Sequence, residues 1–208
     1  MSGRIRLLLA ACGWLCAVAC QAAPDFAAEP ASADARYAAA WVLAGADHHE
    51  RPFAVVDKHD ARIYVFEADG RLVGASAVLL GVAPGDFSAG AGRAPSSLSP
   101  AERTTPAGRF AALPGRNDKG EDTVWIDYAA SLAIHRLRPA AASERRPARL
   151  ASPRTDDNRI SAGCIIVPVA FYEAVVARTL GRGPSTVYVL PETRPVHALF
   201  ESLDLELL

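Results

Sequence analysis

The chain has 208 residues, with 22 Lys and Arg against 23 Asp and Glu and a formal net charge of −1. That balance excludes the broad basic field that draws a protein to nucleic acid or anionic lipid. Half of the residues are apolar and 15 Gly and 15 Pro are spread among them, the composition of a turn-rich globular domain with a core of ordinary size.

Residues 1–23 carry the three parts of a secretory signal. Arg4 and Arg6 give a basic start, Leu7 to Ala19 is almost wholly apolar, and Ala22 and Ala23 precede Pro24. The run is too short to span a bilayer, and no later stretch approaches the ~20 apolar residues of a membrane helix, so no transmembrane helix is expected. Ala17-Val18-Ala19-Cys20 loosely resembles a bacterial lipobox, which would put a lipid anchor on Cys20. Ala17 stands where a larger aliphatic residue is usual, and ordinary cleavage is the first expectation. Cleavage leaves about 185 residues and a formal charge of −3. Cys12, Cys16 and Cys20 all lie in the leader, so Cys164 is the one thiol expected in the mature chain. An unpaired cysteine in an oxidising compartment is either buried and inert or a working thiol.

Residues 24–52 read as a helical extension. Ala31 to Ala46 is Ala-rich, with Tyr37, Trp41 and Val42 on one side, and predicts a short helix. His48 and His49 follow on a polar turn and are expected at the surface, since adjacent side chains seldom converge on one metal ion. From Phe53 the chain turns to short β-branched and aromatic runs: Phe53 to Val56, Arg62 to Phe66 and Leu72 to Leu80. Asp69-Gly70 fits a hairpin turn between the last two, so an antiparallel sheet is expected. Gly81 to Pro100 is a loop whose glycines lack the Gly-Lys-Ser/Thr of a phosphate loop. Thr104 to Phe110 turns into another strand, and Thr123 to Tyr128 and Ser131 to Leu137 are two more. Alternation puts Ala133 and His135 on the face opposite Leu132 and Ile134.

Pro139 to Asn158 is the most polar segment, carries Arg145, Arg146, Arg149 and Arg154, and has no period. It reads as a long loop, either a lid over a site or a solvated charge-bearing loop. Pro168 suits the start of a helix, with Val169, Tyr172, Val176 and Leu180 at helical spacing and Gly181 as its stop. Ser185 to Leu190 is a last strand, and Glu201 to Leu208 has no assigned structure. The domain spans residues 53–208.

Between these elements lies Arg159-Ile160-Ser161-Ala162-Gly163-Cys164-Ile165-Ile166. A thiol of pKa ~8.5 is mostly protonated at neutral pH, and a nearby imidazole activates it. His135 is the best-placed base, although a lone histidine in a strand is more often structural than catalytic. Gly163 lets successive backbone N–H groups turn toward one spot beside the thiol, the form of an oxyanion hole. No Cys/His cluster points to a metal.

These segments, taken in order, resemble the L,D-transpeptidase catalytic domain (YkuD-like) family. The resemblance runs over residues 53–190 through Val55 to Phe66, Thr105-Pro106-Ala107-Gly108-Arg109-Phe110, the His135 strand and Arg159-Ile160-Ser161-x-Gly163-Cys164. It implies a mainly β fold, a β-sandwich with a short helix after the cysteine and a short N-terminal helix, working in the periplasm without a cofactor or metal. It implies that peptidoglycan stem peptides are the substrate, with Cys164 as nucleophile and His135 as base. The Arg136 carbonyl would orient the imidazole, and Ser161 with the Ala162, Gly163 and Cys164 amides would form the oxyanion site. Arg159, Arg154 and Arg149 are expected to meet stem-peptide carboxylates. The family usually has His at the position of Ala162, and Asn or Arg at that of Ile166. The same residues also fit an L,D-carboxypeptidase or other hydrolase of this fold, or a catalytically silent peptidoglycan-binding protein.

Overall fold

The computed structural model describes residues 24–88 and 92–206; the expected leader, with Cys20, lies outside them. Among the described residues the fold is mainly β. The strands are β1 (Phe53–Asp57), β2 (Arg62–Phe66), β3 (Leu72–Ala77), β4 (Leu80–Gly81), β5 (Gly108–Arg116), β6 (Asp122–Asp127), β7 (Leu132–Arg136), β8 (Arg159–Ser161), β9 (Ile165–Val167) and β10 (Ser185–Val189). The helices are α1 (Ala33–Gly45), α2 (Arg146–Leu150), α3 (Val169–Phe171), which runs into a π turn over Tyr172–Val176, and α4 (Val196–Glu206).

Eight strands run in the order β3-β2-β1-β10-β5-β6-β7-β9, and β4 pairs with β8 apart from them. Long strand β5 joins two halves. Its first part, Gly108 to Ala112, pairs with β10, and its second part, Leu113 to Arg116, pairs with β6. The halves fold over one another as a sandwich, closed by reciprocal Leu79–Ile166 backbone hydrogen bonds of 2.8 and 2.9 Å. The sheet is mixed: β1, β2 and β3 pair antiparallel as expected, while β1–β10 and β7–β9 run parallel.

Period-two alternation makes the layers. On one face, Ala54, Val56, Ile63, Val65, Val187 and Val189 meet Val124, Ile126, Leu132, Ile134, Ile165 and Val167 in the inner core. On the other face Phe53, Val55, Tyr64, Phe66, Tyr188 and Leu190 meet α1 and α4. Each such aliphatic or aromatic side chain contributes roughly 1.5–3 kcal/mol by burial, so the first half-sheet is held from both sides. Helix α1 therefore shares a core with the strands. Its N-cap Ser32 accepts from the Ala35 N–H at 3.0 Å. Its fully buried positions are Ala35, Ala38, Ala39 and Val42, with Tyr37 and Trp41 only partly covered.

Other local expectations shift. His48 is buried, with Nε2 2.9 Å from the Ala68 carbonyl, and is not a surface residue. The run from Leu72 to Leu80 breaks into β3 and β4, the latter leaving to pair with β8. Segment 139–158 is not a bare loop but holds α2 between two 3₁₀ turns. Tyr172, Val176 and Leu180 are buried as helical spacing required, while Val169 is exposed. Residues 201–206, left without structure by sequence, end α4, whose Val196, Leu199, Phe200 and Leu203 are buried. No helix among the described residues is long and apolar enough to cross a membrane.

Candidate active site

The second half-sheet turns Val124, Leu132, Ile134, Ile165 and Val167 into the core, so Trp125, Ala133, His135 and Ile166 stand on its outer face. His135 pairs in register with Ile166, and Ile134 with Ile165, across β7 and β9. Cys164 immediately precedes β9, two residues from Ile166 and therefore on its face. The sheet thus puts the thiol and the imidazole diagonally across one strand pair.

The turn before Cys164 is held by one hydroxyl. Ser161 Oγ donates to the Cys164 carbonyl at 2.7 Å and accepts from the Gly163 N–H at 3.0 Å. Gly163 has φ +130°, and a Cβ there would lie 2.7 Å from the Thr104 carbonyl oxygen and 2.8 Å from Leu132 Cδ2. Only glycine fits both the angle and the space. Thr105, fully buried, fastens the turn from behind: its hydroxyl donates to the Gly163 carbonyl at 2.8 Å and accepts from the Gly81 N–H at 2.9 Å.

Cys164 is a free cysteine, partly exposed, whose Sγ donates to the Ser131 carbonyl at 3.4 Å. Burial pushes its thiol above the ordinary value, against the smaller opposing effects of a backbone contact at Ala133 and of the Arg138 charge. His135 is 7% exposed, and its Nδ1 lies 2.8 Å from the Arg136 carbonyl oxygen. A carbonyl can only accept, so Nδ1 carries the proton and Nε2 keeps its lone pair. Burial lowers the His135 pKa to about 4; the Arg136 carbonyl works against this, and the Arg138 and Arg146 charges add to it. At neutral pH thiol and imidazole are both uncharged.

Two cavities meet at these groups. One, about 390 Å³, has Trp125, Tyr128, Arg116 and Asn117 in its wall. The other, about 380 Å³, has Pro139, Glu144, Arg146, Ser161, Ala162 and Ile166. Three residues border both: His135, Arg138 and Cys164. Trp125 and Tyr128 meet edge to face with centroids 5.0 Å apart, and Tyr128 is 77% exposed. Arg138 is not among the sequence candidates, and Arg146 stands there only as one of the arginines of the 139–158 segment. The usable signal was a guanidinium three residues past His135, just beyond the strand end.

The three arginines expected to meet substrate stand elsewhere. Arg159 is ion-paired with Glu192 and donates to the Lys58 carbonyl at 3.1 Å. Arg149 donates to the Glu144 and Asp157 carbonyls, both at 2.9 Å, and borders a separate cavity of about 270 Å³. Arg154 is exposed and borders neither Cys164 cavity. Arg159 belongs instead to a buried charge cluster. Lys58 Nζ donates to Asp86 Oδ1 at 2.9 Å, to the Gly85 carbonyl at 2.5 Å and to the Thr105 carbonyl at 2.9 Å. Glu192 Oε1 lies 3.3 Å from the same Nζ. Burial alone would raise the Asp86 carboxyl, but hydrogen bonds from Thr193, Lys58 and the 192 and 193 amides bring it down to about 2. Through Thr105 this cluster braces the turn that carries Gly163.

No protein-family model matches the sequence, and no curated protein does. Among solved structures, the chain is similar to a crystallised L,D-transpeptidase C442S mutant of Enterococcus faecium, at 16% identity and TM-score 0.40, over 67% of this chain and 50% of that one. It is similar to the catalytic domain of the E. faecium L,D-transpeptidase solved by NMR, at 19% identity and TM-score 0.39, over 68% and 98% of the two chains. The helical cell shape determining protein Pgp2 of Campylobacter jejuni gives 16% identity and TM-score 0.46, over 70% and 49%. The chain thus spans about half the length of two of these three proteins. Each is a likeness of low identity.

Proposed function

We propose that the chain is an exported, cysteine-dependent acyltransferase of the L,D-transpeptidase type, acting on peptidoglycan stem peptides. The observation that supports this most is His135: tied through Nδ1 to the Arg136 carbonyl, it shares a sheet face and both cavities with the free thiol of Cys164. In this reading Cys164 Sγ attacks the carbonyl of the third stem residue, a diamino acid, while His135 Nε2 takes the thiol proton. The transfer is uphill from a burial-raised thiol to a burial-lowered imidazole. It proceeds as the S–C bond forms, by general-base catalysis and not from a standing thiolate–imidazolium pair. The Gly163 N–H is engaged by Ser161, so the Ala162 and Cys164 amides hold the oxyanion. His135 then returns the proton to the leaving amine of the terminal D-alanine. The thioester is resolved by a second stem peptide's amine or by water.

Ala162 and Ile166 give the wall around Cys164 a small and an apolar group. They offer no side-chain hydrogen bond to an incoming amine, which favours the second reading, an L,D-carboxypeptidase with water as acceptor. Mass analysis of purified stem tetrapeptides after incubation separates the outcomes. Loss of the terminal alanine with wild type and none with Cys164→Ala is expected. Cross-linked dimers mark the transpeptidase and free tripeptides the hydrolase. Unchanged tetrapeptide, with Cys164 resistant to thiol labelling and wall binding retained, would leave the silent binder.

A further inference from the structure

We propose that Arg138 is the receptor for a substrate carboxylate and so sets which peptides reach Cys164, an assignment that rests on the peptide-acylation reading above. Arg138 follows the last residue of β7 by two positions. The Leu137 N–H donates to the Val167 carbonyl at 2.8 Å, which keeps the chain in register up to its neighbour, and Pro139 ends the ladder. The side chain is then oriented by a carboxylate that is itself held. Arg138 Nε is ion-paired with Glu121 Oε2 at 2.8 Å. Asn117 Nδ2 donates to the same Oε2 at 2.8 Å, and the Glu121 N–H donates back to Asn117 Oδ1 at 3.0 Å.

The Nε edge of the guanidinium therefore faces the Glu121 carboxylate as a charge contact, without hydrogen-bond geometry. Among the described residues no hydrogen bond engages its two terminal nitrogens. The side chain keeps 28% of its exposure and borders both cavities beside the thiol. A planar fork with one side anchored and the other open to a cleft is suited to a carboxylate held by two parallel N–H···O bonds. The neighbouring Arg146 and Arg116 are likewise engaged through Nε, by Glu144 at 2.5 Å and Asp122 at 3.3 Å, but each borders only one of the two cavities beside the thiol, whereas Arg138 borders both. Two substrate carboxylates share the required chemistry: the α-carboxylate of the departing residue and the side-chain carboxylate of the diamino acid.

The test uses three stem tetrapeptides, one unmodified, one with a C-terminal amide and one amidated on the diamino-acid side chain. They are compared on wild type, Arg138→Gln and Arg138→Lys. One of the two amidations lowers wild-type kcat/KM by about 10- to 100-fold and so names the carboxylate. Arg138→Gln loses a similar factor on the unmodified peptide and is indifferent to that amidation within about 2-fold. Arg138→Lys, which keeps the charge but not the fork, falls between. Undiminished discrimination in Arg138→Gln, or equal turnover of all three peptides by wild type, overturns the assignment and leaves the nucleophile reading standing. Binding of the same peptides to Cys164→Ala, with and without Arg138→Gln, repeats the cycle without chemistry. Acid-selective binding that depends on Arg138, with no alanine ever released by wild type, supports the receptor and overturns the nucleophile. Equal binding of acid and amide forms overturns the receptor.

Discussion

Single residues set the chemistry here by geometry. Gly163 is the sharpest case: Gly163→Ala must place a methyl against the Thr104 carbonyl at positive φ, which costs about 1–3 kcal/mol and moves the Cys164 amide. Acylation should fall to the level of Cys164→Ala while thermal unfolding stays cooperative; unaltered acylation would show that the turn has no catalytic part. His135 gives a pH prediction with a definite sign. Its folded pKa of about 4 lies below that of an exposed imidazole, so the base stays neutral as pH falls from 8 to 5. The acylation rate should change by less than about 2-fold over that range. A roughly tenfold drop between pH 7 and 5.5 would mean that His135 titrates as an exposed histidine. That Cys164, His135 and Gly163 form one candidate site is legible in sequence from residue type and order. Arg138 is not legible there, since its value depends on Glu121 and Asn117, which reach it only across β6 and β7.

Elements were legible where their signals are local. The β1 to β3 run follows from alternation and the Asp69-Gly70 turn, and β7 from the opposed faces of Leu132 and His135. Strands β8 and β9 have three residues each and pair in parallel with distant partners, so no window of sequence announces them. The α4 period from Val196 to Leu203 is present in the sequence, but Glu201 to Leu208 by itself holds only its last turn. The Lys58 cluster shows the same non-local logic, since its members come from the turn after β1, the 82–88 loop, β8 and the segment after β10. Lys58 is 1% exposed and faces Asp86 and Glu192. Lys58→Met strands those carboxylates and should destabilise the fold by about 3–5 kcal/mol in urea unfolding. A change below about 1 kcal/mol would show that Arg159 and the backbone donors satisfy the cluster alone.

At the scale of the whole molecule the layers divide the labour. The inner core and the α1/α4 layer hold the first half-sheet on both faces. The second half-sheet buries one face and leaves the other to Trp125, His135, Cys164 and the two cavities. This explains why a mainly β sandwich could be anticipated while its mixed pairing could not: burial patterns reveal faces, and strand order depends on crossovers such as β1 to β10. The central claim is that the thiol on this outer face is a nucleophile worked by His135. Its most direct test is incubation of the purified protein with a carbapenem, followed by intact-protein mass. One adduct per wild-type chain is predicted, none on Cys164→Ala, and formation slowed by about 10²–10⁴-fold in His135→Ala. A folded wild-type protein that gains no mass would contradict the account.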